Sequence, residues 1–242
     1  FVWGIEVYAL TVFTPQYVQA YMGYNAELAG MTQLRGAALL ILLMPIVGQL
    51  VRRIQARWLI GLGFILSALA FFHISHNIGL GVDFSTTAGY RIWQSFGVAL
   101  LFIPINTASY VGLPEQKGGE VAGTINLFRN IGGSVGISLV ETMLARRAQH
   151  HQDHLITHVT AAQQAFRTLT NNLNAQLLHH GLSQPQAAHQ GLLRIYEAVI
   201  TQATVLSYQD VAWLIAVVCL LMTPLVLILN KNDPKAARAN VE

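Results

Sequence analysis

The sequence predicts an all-α polytopic membrane protein with six transmembrane helices and an extramembrane helical hairpin before the last of them. Hydrophobic residues make up 53% of the chain and charged residues only 10%, against about 25% charged residues in ordinary soluble domains. The apolar residues also gather in blocks of about 20, the length of helix that crosses a bilayer. Each block is expected to be helical, because lipid offers no hydrogen-bond partners to the backbone N–H and C=O groups of an open strand.

The predicted spans divide the chain into four regions. Residues 1–144 hold helices one to five, 145–208 form an outer helical loop, 209–230 hold the last span, and 231–242 form a cytoplasmic tail. The six apolar segments are Phe1 to Tyr21, Ala26 to Val51, Trp58 to Ile74, Tyr90 to Leu113, Val121 to Leu144, and Val211 to Leu229. Prolines within them, such as Pro45 and Pro104, are common in transmembrane helices.

Basic residues in the short connections indicate the orientation. By the positive-inside rule these connections are cytoplasmic. The residues are Arg52, Arg53, Arg57, Lys117, Lys231, Lys235 and Arg238. The net charge of +3 is therefore attributed to the basic residues of the cytoplasmic connections, and no nucleic-acid partner is expected. Phe1 begins inside an apolar run without an initiator Met or signal peptide, so we expect a truncated N-terminus.

The polar region 145–208 is expected to fold as a helical hairpin that turns at Gly181 to Pro185. Ser183 and Gln186 have capping-box spacing, which predicts a new helix there. Four histidines in this region repeat at spacings that place pairs on one helical face: His150, His151, His154 and His158. We interpret them as a solvated face and predict no metal site, with zinc binding as the alternative. The single Cys219 allows no internal disulfide.

Arg129 is the strongest functional candidate because it lies about 12 Å into the fifth predicted span. A guanidinium at this depth needs a carboxylate, carbonyls or water, and Asn126 and Asn130 are its helical neighbours. It could belong to the transport path or its conformational switch, or it could anchor helix packing. The same helix carries a small-residue face that favours close packing or sliding against another helix. Its glycines are Gly123, Gly132, Gly133 and Gly136.

Other polar groups within the spans are candidates for the transport pathway. Glu6 could carry protons if it is desolvated, or it could snorkel to water. Arg35 could pair with Glu141 near the outer membrane edge. Amides could line an aqueous cavity or make helix-packing hydrogen bonds. These amides are Gln16, Gln94 and Asn106.

Three stretches resemble the fourteen-helix drug:proton antiporters of the major facilitator superfamily, specifically permeases of the EmrB/QacA type. The stretches are Thr14-Pro15-Gln16-Tyr17-Val18-Gln19 with Gly23-Tyr24, Gln94 through Pro114, and Asn126-Leu127-Phe128-Arg129-Asn130-Ile131-Gly132-Gly133-Ser134-Val135-Gly136. Gly48 to Arg57, with Arg53 inside it, resembles the superfamily's loop motif. There Arg52 replaces the Asp and Gln55 replaces the turn Gly, which weakens the case for a conformational latch.

The resemblance implies the C-terminal half-bundle of a proton-coupled efflux transporter of the bacterial inner membrane. Its substrates would be hydrophobic or amphipathic small molecules, and it would work with the N-terminal half of the same transporter, membrane lipid, a periplasmic adaptor and an outer-membrane duct. A proton gradient would drive transport, and no cofactor is expected. Alternatives are an uptake or metabolite transporter of the same fold, or a membrane-anchored metal sensor. No nucleophile lies at the same predicted depth in the membrane as a suitable base, so an enzyme is not expected.

Overall fold

The computed structural model describes residues 1–110, 112, 115–158 and 164–229, and every regular element within these ranges is helical. Two short 3₁₀ turns, Glu115–Lys117 and Val226–Ile228, accompany seven α-helices. The α-helices are α1 (Val2–Tyr21), α2 (Ala26–Val51), α3 (Ala56–Asn77), α4 (Phe84–Ser109), α5 (Gly118–His158), α6 (Gln164–His179) and α7 (Gln184–Leu225). The predicted tail 231–242, with Lys231, Lys235 and Arg238, lies outside the described residues.

The chain separates into two compact units, of which the first comprises Phe1–Glu141 and the residues from Val211 onward. Within this unit α4 packs extensively against both α2 and α3. A small apolar cluster of Val47, Val51, Leu59 and Ala99 joins these three helices. Apolar side chains also cover much of the surface of this unit.

The exposed surface of α2 carries large apolar side chains, as expected for a surface that faces lipid. Leu34, Ile41 and Leu42 are 65%, 70% and 66% exposed, although a soluble monomer rarely exposes large contiguous apolar patches. Prolines at positions 45 and 104 are accommodated inside helices, as expected for transmembrane segments.

Four helical stretches in the described ranges are long and apolar enough to cross a membrane: Ala26–Val51, Ala56–Asn77, Phe84–Ser109 and Gln184–Ile228. The protein is therefore an all-helical, multi-pass membrane protein. The first and fifth predicted spans lie in α1 and α5, which are not among these four. Polar residues explain this, because α1 contains Glu6 and Gln16, and α5 contains Asn126 and Arg129.

The second unit, Thr142–Asp210, contains α6 and the adjoining parts of α5 and α7. The predicted turn is confirmed, since α6 ends at His179, Gly181 adopts φ +87°, and α7 begins at Gln184. The cap differs from a full capping box. Both the Ser183 backbone N–H and its hydroxyl donate to Gln186 Oε1, at 3.1 and 2.9 Å.

Candidate functional site

The first unit contains a cavity of about 850 Å³, within the range of about 300–1,000 Å³ typical of small-molecule sites. Residues from α1, α3, α4, α5 and the end of α7 line it. Trp3, Phe64 and Phe128 supply aromatic surface to an otherwise largely aliphatic wall. Such a lining can accept flat, apolar molecules of varied shape.

Charged groups enter this cavity from the start of α5 and the turn before it. Lys117, Glu120 and Arg129 all contribute to its wall. The Arg129 Nη2 atom donates to Asn126 Oδ1 at 2.6 Å, and the guanidinium carbon lies 5.8 Å from the centre of the Trp3 ring. Among the described residues no carboxylate lies within 4.0 Å of it. Its partners are therefore an amide and an aromatic face.

The α5 face around Arg129 lies directly against α1. A Cβ added at Gly132 would lie 2.3 Å from Phe1 O, and one at Gly136 would lie 2.7 Å from Ile5 Cα. A Cβ at Gly133 would overlap the Tyr8 ring at 2.1 Å. These three positions require glycine for the observed approach of the two helices.

The fourth predicted glycine of this face, Gly123, has different surroundings. A Cβ added there would meet no heavy atom of the described residues within 4 Å. Asn130, one turn further along the same helix than Asn126, accepts a long hydrogen bond of 3.5 Å from the Tyr8 hydroxyl. The amide neighbours of Arg129 therefore point to different partners.

Glu6 is buried in the first unit, with 2% of its surface exposed. Its carboxylate lies close to the Ser67 hydroxyl of α3. Oε2 has no hydrogen-bond partner among the described residues, and no Lys, Arg or His nitrogen there lies within 4.0 Å of the carboxylate. The interior position excludes the snorkelling interpretation for this unit. A carboxylate held in this way must be neutralised by a proton or a counter-ion.

Arg91 is a half-buried cationic residue, with a buried Nε atom, that the sequence analysis missed. The fourth predicted span began at Tyr90, which placed Arg91 at a membrane edge. In the structure α4 begins at Phe84, so Arg91 lies two helical turns inside it. The Arg91 Nη1 atom donates to Gln94 Oε1 at 2.9 Å. The capping Asp83 before Phe84 was the sequence signal for the earlier start.

The remaining predicted pathway residues do not converge on one site. Gln94 is 1% exposed and bonded to Arg91, whereas the Asn106 amide donates to Phe102 O within its own helix at 2.6 Å. Gln16 Nε2 donates to Glu141 Oε2 at 3.5 Å on the exposed sides of α1 and α5.

Arg35 does not form the ion pair with Glu141 that the sequence permitted. Its guanidinium carbon lies 4.8 Å from the centre of the Phe84 ring, and Glu141 Oε2 accepts from Gln16 instead. An aromatic face at the start of α4 is therefore the observed partner of this cation.

The loop-motif residues lie at the junction of α2 and α3. Arg52 and Arg53 are exposed, and the Arg57 guanidinium carbon lies 5.3 Å from the centre of the Trp58 ring. A Cβ at Gly48 would meet no described atom within 4 Å. No ion pair links these arginines to another described residue.

The histidines of the second unit do not assemble into a metal centre. His151 Nε2 lies 2.7 Å from Asp210 Oδ2, and Arg147 Nη1 lies 3.7 Å from the same oxygen. In the part of the chain that the structure describes, no three His, Cys, Asp or Glu side chains are grouped to hold a metal ion. The observed partner of His151 is thus a carboxylate on α7.

Comparison with known proteins decides the family. The family model of the Major Facilitator Superfamily matches residues 1–137, which is more than half of the chain. The chain belongs to the Major Facilitator Superfamily. This confirms the family expected from the motifs. The matched residues include Glu6, Arg129 and most of the residues that line the cavity.

Relatives of the chain include proteins named for multidrug export or for resistance. The chain is 28% identical over 215 residues to the multidrug export protein EmrB of Escherichia coli strain K12, and 30% identical over 216 residues to the probable multidrug resistance protein EmrY of the same strain. The fatty acid resistance protein FarB of Neisseria gonorrhoeae is 29% identical over 203 residues. These alignments cover 82–89% of this chain but 38–40% of the relatives. The chain thus spans about two fifths of their length.

Proposed function

We propose that this chain forms the C-terminal six-helix portion of a proton-coupled multidrug efflux transporter in the inner membrane of a bacterium. In this proposal α1 and the first part of α5 join the four apolar stretches as membrane spans. The 20 residues of α1 suffice for the hydrocarbon core. Residues 1–144 and 209–230 would lie in the membrane, 145–208 outside it, and 231–242 in the cytoplasm.

The cavity of about 850 Å³ is the observation that carries this proposal. Its aromatic and aliphatic walls suit hydrophobic or amphipathic substrates, and its few charged groups can orient them. Lys117 lies on its wall, so the positive-inside rule assigns this end to the cytoplasm. Substrate would therefore enter from the cytoplasm or the inner leaflet. Similarity to the multidrug export protein EmrB and to the resistance proteins EmrY and FarB supports export over uptake.

Glu6 is our proposed proton-binding group. It is buried beside Ser67, and no described cation lies within 4.0 Å of it. Protonation and deprotonation of such a group change the cost of keeping it buried, which can couple proton entry to a conformational change. The proton gradient would supply the energy, and we infer neither an enzymatic activity nor a cofactor.

Assembly with other components completes the proposal. Rocking of this bundle against the N-terminal half of the same transporter would alternate access to the cavity. The second unit, placed outside the membrane, would face a periplasmic adaptor that leads to an outer-membrane duct. Amphipathic α6 and α7 offer exposed apolar side chains for such a contact, including Leu169, Leu192 and Tyr196.

Efflux of ethidium from cells that express the complete transporter tests the role of the cavity. Arg129→Ala removes the cation that contacts Asn126 and Trp3, and we expect at least a several-fold loss of efflux rate at equal expression. Arg35→Ala is the matched control, since it removes a cation stacked on an aromatic ring elsewhere. Equal efflux in wild type and the Arg129 variant would remove Arg129 from the transport path.

Proton coupling needs a separate measurement in proteoliposomes with an imposed pH gradient. Glu6→Gln keeps the size of the side chain but cannot exchange a proton, so we expect gradient-driven transport to be lost while substrate binding persists. Glu27→Gln, at an exposed position in the first turn of α2, is the control. Normal proton-driven transport by the Glu6 variant would exclude Glu6 as the proton carrier.

A further inference from the structure

The turn between α2 and α3 carries three arginines and no acid. Arg52 and Arg53 are exposed, and Arg57 is partly buried. No Asp or Glu occurs in the sequence between Glu27 and Asp83, and no carboxylate of the described residues lies within 4.0 Å of the three arginines. The turn is therefore a basic surface whose counter-charge does not come from the described part of the chain.

Trp58 indicates that this turn lies at the surface of the bilayer. Trp58 is 57% exposed, and the Arg57 guanidinium carbon lies 5.3 Å from the centre of its ring. Tryptophan is enriched where transmembrane helices meet the lipid head groups, and a cation stacked on its ring is held at the same level. Because α3 is long and apolar enough to cross a membrane, its first turn belongs at this level.

A stripe of exposed apolar side chains continues from Trp58 along α3. Leu62, Ile65 and Leu69 are 45%, 38% and 59% exposed, and their spacing places all of them on the same face of the helix as Trp58. These four residues are called the α3 stripe below. From Trp58 to Leu69 the helix rises about 16 Å, close to half of the hydrocarbon thickness of about 30 Å. The α3 stripe thus covers the depth of one leaflet.

The α3 stripe faces away from the cavity of the candidate site. Ile60 and Phe64 line that cavity, and they follow Trp58 and Leu62, respectively, by two residues. Two residues correspond to about 200° around a helix, so the cavity and the stripe occupy opposite sides of α3. Lipid bound along the stripe therefore does not compete with a substrate in the cavity.

A groove between α3 and α4 lies at the inner end of the α3 stripe. Leu69 lines it together with Trp93 and Phe96 of α4, and its volume is about 380 Å³. The centres of the Trp93 and Phe96 rings are 6.2 Å apart. His73 supplies the polar part of a wall that is otherwise apolar. Such a concave wall favours an aliphatic chain end over water.

We propose that the α2–α3 turn and the α3 stripe bind one anionic phospholipid of the cytoplasmic leaflet. Its phosphate accepts hydrogen bonds from Arg52 and Arg53, one acyl chain follows the stripe, and the chain end enters the groove at Leu69. Charge selects the lipid, because a zwitterionic head group brings no net counter-charge to the arginines. A soluble anion or an acidic peptide would leave the apolar stripe uncovered.

The inference rests on the proposed function only in placing the turn at the cytoplasmic surface. Native mass spectrometry of the complete transporter in detergent tests it, with dioleoyl phosphatidylglycerol as the anionic probe and dioleoyl phosphatidylcholine as the zwitterionic one. Wild type should bind phosphatidylglycerol more tightly. Combining Arg52→Gln with Arg53→Gln should weaken phosphatidylglycerol binding at least about tenfold, equivalent to about 1.4 kcal/mol, and leave phosphatidylcholine binding unchanged.

A matched control removes two arginines elsewhere. Arg167→Gln combined with Arg194→Gln makes the same change in charge at exposed positions of the second unit and should leave both affinities unchanged. If the α2–α3 variant does not insert into the membrane, ionic strength replaces it. Raising the salt concentration about tenfold should weaken phosphatidylglycerol binding to wild type, but not phosphatidylcholine binding, because salt screens exposed charges.

Leu62→Ser tests the acyl-chain part of the site. It should weaken the binding of both lipids several-fold and keep the preference for phosphatidylglycerol, because contact with an acyl chain does not depend on the head-group charge. Leu34→Ser, at a 65% exposed position of α2, is the control and should change neither affinity. Equal weakening by the two leucine variants would contradict the role of the α3 stripe.

Equal binding of the two lipids by wild type would overturn the site, as would phosphatidylglycerol binding that is insensitive both to the arginine substitutions and to salt. Ethidium efflux separates this inference from the proposed function. Normal efflux without a preference for phosphatidylglycerol would contradict the lipid site alone. Absence of efflux from the wild-type transporter, with a preference that depends on Arg52 and Arg53, would contradict the proposed function alone.

Discussion

Replacement of Gly136 by alanine should loosen the contact between α1 and α5. The added Cβ would lie 2.7 Å from Ile5 Cα and 3.0 Å from Ile5 O. Both atoms are backbone and cannot rotate away, whereas ordinary van der Waals contact begins at 3.4 Å. The helices must therefore separate locally by roughly 0.7 Å, a gap that forfeits about a quarter to a half of the dispersion energy across it.

The expected loss follows from two opposing terms. Overpacking of a tight interface costs about 1–3 kcal/mol, while alanine gains about 0.5–1 kcal/mol over glycine in a helix. We therefore expect Gly136→Ala to lower the free energy of unfolding by up to about 2.5 kcal/mol. Gly123→Ala, on the same helix but without a described atom within 4 Å, gains only the helical term.

Thermal unfolding of the two variants in one detergent provides the measurement, with the midpoint followed by loss of monomer on size-exclusion chromatography. Gly136→Ala should melt below wild type and Gly123→Ala at or above it. Because the two substitutions are chemically identical and share a helix, their difference isolates the α1 contact. Equal midpoints for the two variants would refute the packing argument.

Further predictions concern single contacts. Asp83→Ala should fray the first turn of α4, because the Asp83 side chain accepts from the Thr86 N–H at 3.3 Å and alanine has no acceptor to replace it; hydrogen exchange of that turn is the readout, and Asp153→Ala is the control. Hydrogen bonds from Ser85 and then Thr86 hold the pKa of Asp83 below 3.8, so this cap should be fully effective above that value and weaken as pH falls through the lowered pKa. Asp210→Asn should destabilise the second unit by about 1 kcal/mol or less in protease-resistance assays, through loss of the His151 and Arg147 contacts, whereas Asp153→Asn should not. Gly181→Ala should cost about 1–2 kcal/mol at φ +87°, and Gly191→Ala less, because it meets only the movable end of Asn174; equal losses would contradict this.

Periodicity and cap residues predicted where the helices lie in the sequence better than they predicted which side chains of different helices make contact. The turn before α7 was readable from Gly181, Ser183 and Gln186, because local backbone chemistry determines it. Partner choice was not readable, since it depends on which helices cross. Arg35 packs on Phe84 although Glu141 offered the opposite charge.

The candidate site shows the same division between local and long-range information. The contact of Arg129 with Asn126 was readable from their spacing of three residues on the same helix. The cavity and its Trp3 wall depend on the approach of α1 to α5, which no local pattern specifies. Arg91 was missed because hydropathy alone placed the start of α4 six residues too late, at Tyr90 instead of Phe84.

The unpartnered polar atoms of the first unit lie where packing alone would not place them. Glu6 Oε2, Trp3 Nε1 and the free donors of Arg91 and Gln94 are all buried without hydrogen bonds to the described residues. Each lowers the stability of the fold, and apolar replacements of similar size would avoid that cost. Departures from the rule that buried polar groups are paired occur mainly at functional sites. The buried Glu6 carboxylate and Trp3 indole are therefore the groups at which the proposed proton and the proposed substrate would find hydrogen-bonding partners.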